Sequence, residues 1–136
     1  MKWAQSLIRI ANHEVETLQK RLAEIVTARE VMQMRLAALY AEAEAEQARA
    51  RVDVEAGFYH LGFLQGWRIR RDRLNAQIAD KHAEETGARD ALARAFEELK
   101  KFEHVAEIAR LNAIKEEGRR ETAAMDEMGL RQAMGR

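Results

Sequence analysis

Residues 8–22 read Ile8-Arg9-Ile10-Ala11-Asn12-His13-Glu14-Val15-Glu16-Thr17-Leu18-Gln19-Lys20-Arg21-Leu22, and the spacing of their apolar members decides the fold. Ile8, Val15, Leu22, Leu36 and Ala43 fall on one heptad position, with Arg29 the single charged interruption. Ala11, Leu18, Ile25, Met32 and Leu39 fall on the companion position. A 3-4 alternation sustained over about five heptads is the pattern of a helix that buries a narrow seam against another helix. Glu16 and Lys20 stand in the favourable i,i+4 order on the polar side. From Glu42 to Arg51 the seam thins to alanines, so that segment is expected to stay helical with weak or close packing.

Composition agrees with this reading. The 136 residues contain no proline, are 34% charged and 47% hydrophobic, and only 6% aromatic. Alanine, leucine, arginine and glutamate lose little side-chain freedom in a helix. Charges interrupt every short apolar run, so burial has to be linear, along a seam that holds no deep substrate pocket. Length allows one domain.

Residues 57–67, Gly-Phe-Tyr-His-Leu-Gly-Phe-Leu-Gln-Gly-Trp, break the pattern near the middle of the chain. Glycine costs a helix about 1 kcal/mol relative to alanine and permits turns. The expected architecture is all-α: a long two-helix antiparallel coiled-coil hairpin. Helix 1 spans about 3–56, the tip 57–67 and helix 2 about 68–128, with fraying expected at Gly118 and over the ending 128–136. The second seam is read as Leu74, Ile78, Leu92, Phe96, Leu99, Phe102, Ala106, Ala109 and Ala113, with a stammer at Phe96–Leu99–Phe102. Looser packing is expected between Ile78 and Leu92, opposite the alanine-rich part of helix 1.

The same residues bound the function. With 23 basic and 23 acidic side chains, formal net charge is zero, which argues against general nucleic-acid binding. No cysteine is present, so disulfides and thiolate metal sites are excluded. No apolar run approaches a membrane span, and residues 1–10 lack the uninterrupted apolar stretch of a signal peptide. The chain reads as unexported. None of His13, His60, His82 and His104 has a glutamate three residues earlier, so no di-iron or other metal motif is expected. Gly57, Gly62 and Gly66 lack the lysine and hydroxyl residue of a phosphate cradle. No catalytic residue, cofactor or metal is expected.

What remains points to partners. Phe58, Tyr59, Phe63 and Trp67 cluster at the expected tip, and exposed aromatics offer large desolvation at low entropic cost. Local turn packing competes with partner contact for them. Tyr40 lies outside the first seam and could face the same surface. Trp3 either caps the open end or binds a partner. Arg68, Arg70, Arg71 and Arg73 form the densest basic cluster, read as a solvated face or a docking patch for an acidic partner.

Four features resemble the FliJ family of flagellar type III export proteins. They are Leu7-Ile8-Arg9-Ile10-Ala11 before a Glu-rich heptad helix, and an aromatic mid-chain turn followed by arginines. Then come Glu97-Glu98-Leu99-Lys100-Lys101-Phe102-Glu103, and Arg119-Arg120-Glu121 followed by Met125-Asp126-Glu127-Met128. Their order covers nearly the whole chain. The resemblance implies a non-catalytic stalk, similar to that of rotary ATP synthases, for the flagellar export ATPase hexamer. The end with both termini would enter the ring, through Arg9, Arg119 and Arg120. The other end would contact the membrane export gate, through Tyr40, Phe58, Phe63 and Trp67. Export chaperones are further implied partners. The implied location is the cytoplasm, peripheral to the inner membrane, in the service of motility and chemotaxis. The hairpin is expected to be monomeric. Alternatives are the ATPase stalk of an injectisome, a DNA-binding helical regulator, and a metal-binding helical enzyme.

Overall fold

A computed structural model describes residues 2–135, and these form two α-helices: α1 (Lys2–Val52) and α2 (Val54–Met134). Strand is absent among the described residues. The expected all-α pair of long helices is therefore what the chain adopts. It divides into two compact units, Met1–Val15 with Arg94–Arg136, and Glu16–Ala93.

The second unit, Glu16–Ala93, contains the reversal. Arg29 meets Glu85, Leu39 meets Trp67, and Ala50 meets Gly57, so α2 runs back along α1. Asp53 is the one residue between the helices. Its Oδ1 accepts from the N–H of Glu55 (3.0 Å) and Ala56 (3.4 Å), an N-cap that satisfies two donors orphaned at the start of α2. The turn lies here, ahead of the expected 57–67, and those residues are helical. Positive φ occurs nowhere among the described residues, so glycine's left-handed freedom is not what turns the chain. A short acid that can cap does the work instead. Gly57 matters for another reason: a Cβ there would sit 3.1 Å from the Ala50 carbonyl oxygen, where the helices come close. Gly62 and Gly66 would meet nothing within 4 Å.

Moving the turn to Asp53 changes what faces what. The alanine-rich end of α1 lies against the beginning of α2, as Ala50 and Gly57 show. Residues 78–92 run alongside the middle of α1 instead, where Arg29 reaches Glu85. That stretch is not loose. Glu85 is 6% exposed and Ala88 is also buried.

All the α1 seam positions read from the sequence are buried or half-buried, Arg29 included. On α2 covered positions recur at 67, 71, 74, 78, 81, 85, 88, 92, 95, 99, 102, 106 and 109, an unbroken 4-3 alternation with Ala91 half-buried beside it. Ala95 takes the place expected for Phe96, which stays 37% exposed, so no stammer is needed. The heptad phase carried through from Leu92 outweighs the larger side chain next door.

In the first unit, Ala4, Ala11, Val15, Ala95 and Leu99 are buried. Beyond Arg110 every described residue is exposed, yet α2 continues through Gly118 and Gly129 to Met134, past the expected end at about 128. This last stretch is supported by its own i,i+4 pairs, Glu116 with Arg120 (3.8 Å) and Glu127 with Arg131 (2.9 Å), both in the favourable order.

Candidate docking surfaces

Among the described residues no group of three or more His, Cys, Asp or Glu side chains could hold a metal ion. No helix among them is long and apolar enough to cross a membrane. Surface features that could bind a partner fall into separate sets, and each belongs to one unit.

The first set is built around Trp67. Its position on the α2 seam makes it 7% exposed, and its indole N–H donates to the Leu39 carbonyl at 2.7 Å. Tyr40 packs edge-on against it, ring centroids 5.1 Å apart, and the Arg71 guanidinium lies 5.4 Å from its ring centroid. Tyr40 is half-exposed. Trp67 thus holds Tyr40 and Arg71 in place while offering little surface itself. Sequence spacing placed it in the aromatic tip; the heptad phase of α2 puts it in the seam.

The second set crowns the reversal. Phe58 is 80% exposed and meets Tyr59 edge-on at 5.2 Å. Val52, Val54 and Leu61 are exposed beside them, Val54 at 91%. Val54, Phe58 and Leu61 follow the i, i+4, i+7 rule and share one face of the first two turns of α2. The two valines were missed by sequence reasoning, because a residue's exposure at a turn depends on where the turn falls. Phe63 is half-buried and stacks on His60, 6.2 Å apart at 19°.

A third set is an open groove of about 350 Å³ in the same unit, with Ala38, Leu39 and Leu74 beneath it. Arg35, Arg70 and Arg73 rim it with Glu42, which takes up Arg70 at 2.9 Å. The arginine run seen in the sequence is therefore split. Arg70 and Arg71 are committed to Glu42 and Asp72, and Arg73 faces this groove.

In the first unit a longer groove of about 490 Å³ lies between the start of α1 and α2. Arg110 and Glu107 line it as a pair at 2.6 Å. The hydrogen bond from Arg110 holds the Glu107 carboxyl below its ordinary range, and Glu107 raises the guanidinium in turn. Arg9, Arg119 and Arg120 are exposed in this unit, Arg119 beside a shallow depression and Arg120 opposite Glu116.

The charged layer of the second unit completes the picture. Glu85 accepts from Arg29 Nε and from Arg89, both at 2.7 Å, with His82 Nδ1 at 3.8 Å. Arg29 also donates to Gln33 at 3.1 Å. Both carboxylate oxygens of Glu85 are occupied, which is the condition for tolerating a buried charge.

Comparison with known proteins gives these surfaces a context. The family model described as flagellar FliJ protein matches residues 4–136. Two curated relatives, the flagellar FliJ proteins of Caulobacter vibrioides strains NA1000 / CB15N and ATCC 19089 / CIP 103742 / CB 15, are each 54% identical over 132 residues. Each alignment covers 97% of this chain and 95% of the relative. No solved structure matches. With the family model spanning nearly every residue and relatives this similar over nearly their whole length, the chain belongs to the flagellar FliJ protein family.

Proposed function

We propose that this flagellar export component is the non-catalytic central stalk of the export ATPase ring, and that it couples the ring to the membrane export gate. The observation that carries the reading is the final stretch of α2. Every described residue after Arg110 is exposed although the helix runs on to Met134. An exposed helical stretch of more than six turns, stiffened by its own ion pairs, suits insertion into a surrounding protein better than solitary life in water. Arg9, Arg119 and Arg120 are the basic side chains offered to the ring in this unit.

In the second unit, the proposed gate contacts are Tyr40, Phe58 and Phe63, with Trp67 positioning Tyr40 from beneath. Export chaperones are further proposed partners. The proposed location is the cytoplasm, at the inner membrane through the export apparatus, where a monomer would serve motility.

The test is co-purification with the flagellar export ATPase, then ATP turnover with and without this protein. Binding with raised turnover is expected, and Arg119→Glu with Arg120→Glu should reduce the stimulation while helicity stays constant. No binding at micromolar concentrations would sink the stalk reading. For the gate side, Phe58→Ala with Tyr59→Ala should reduce motility with unchanged circular dichroism.

A further inference from the structure

We infer that the groove of the first unit is the seat of a basic amphipathic helix from a partner protein, laid between the start of α1 and residues 103–117 of α2. Small residues line it, Ala4, Ala106, Ala109 and Ala113. Small side chains let a third helix approach closely, and the depth left by them takes large apolar residues from the newcomer. Ile8 and Ile114 line it too, and Ile114 is more than half exposed, an aliphatic side chain awaiting cover.

The charge of the edge selects the occupant. Glu103, Glu107, Arg110, Ile114 and Glu117 form one rail of α2 at 4-3-4-3 spacing. Its single cation, Arg110, is already taken by Glu107 at 2.6 Å. Glu103 and Glu117 have no ion-pair partner among the described residues, and they stand about 21 Å apart along the axis. An incoming helix with large apolar residues on one face and Lys or Arg beside them, four turns apart, meets both. An acidic helix meets uncompensated repulsion. The groove of the second unit has the reverse character, with Arg35 and Arg73 on its rim, so the preference for a basic partner is local to the first unit.

The inference stands apart from the stalk reading, since its test needs no ATPase. The probe is a labelled 21-residue synthetic helix with leucines on one face and flanking lysines, titrated with the full chain by fluorescence anisotropy. Two controls replace the lysines with glutamates or scramble the order. Saturable binding of the lysine helix is expected, with the glutamate helix roughly tenfold weaker or more. Glu103→Lys with Glu117→Lys should invert that preference. Ala113→Arg, at an exposed lining position, should abolish binding, whereas Ala38→Arg in the other groove should leave it intact. Equal binding of the lysine, glutamate and scrambled helices would overturn the inference. So would indifference to Ala113→Arg, or no binding at low salt while circular dichroism reports an intact fold.

Discussion

The two units contain the same two helices and hold them together differently. In the second unit the seam carries Ile25, Leu39 and Trp67 among its buried residues, and a charged layer centred on Glu85 crosses it. In the first, three of the five buried residues are alanines, and α2 then continues with every described residue beyond Arg110 exposed. Large side chains locate two helices by filling space. Alanines only let them touch, and the area they remove from water is small. Stability should therefore concentrate in the second unit, and the first should be where the molecule has surface to spare for others.

Substitutions in each unit test that contrast. Trp67→Ala should have the largest effect, about 3–4 kcal/mol in urea unfolding, from lost burial and the lost indole hydrogen bond to the Leu39 carbonyl. A loss no larger than that of a surface change would break the comparison. Next is Glu85→Ala, expected to cost about 3 kcal/mol because it strands the half-buried Arg29. Replacing both partners, Arg29→Leu with Glu85→Leu, should come close to neutral, since the desolvation of two charges goes with them. Leu99→Ala in the first unit should cost about 2 kcal/mol, the low end for leucine, where alanine neighbours leave little packing to lose. Asp53→Ala should cost about 1 kcal/mol through the lost cap of α2. The smallest effect belongs to Arg120→Ala, whose exposed pair with Glu116 should leave the melting curve unmoved. Hydrogen exchange sharpens the same comparison: amides of residues 112–134 should exchange well before those flanking Trp67.

The failures of sequence reasoning share a cause. The glycine-rich stretch looked like the turn because glycine weakens helices, but the propensity cost is spread over a helix whose packing outweighs it. Asp53 carried a signal that could have been used, a capping residue with Glu two positions on, and no glycine is needed for that geometry. Once the turn moves, the partner of every α2 residue moves too. Trp67 shifts from an exposed tip to the seam beside Leu39, and Glu85, in the stretch expected to pack loosely, becomes the partner of Arg29. Tyr40, which its spacing put off the first seam, is at the surface, and so are Phe58, Arg9, Arg119 and Arg120.

Heptad spacing alone determined that this chain is built of long helix and which face of α1 is covered. The reason is that an α-helix repeats its geometry, so burial on one face can be read from residue numbers. The tertiary structure decided where the chain reverses, which α2 residue meets which on α1, and where grooves of opposite charge open. Those depend on side chains brought together across the turn, and a displacement of the turn by a few residues rewrites all of them.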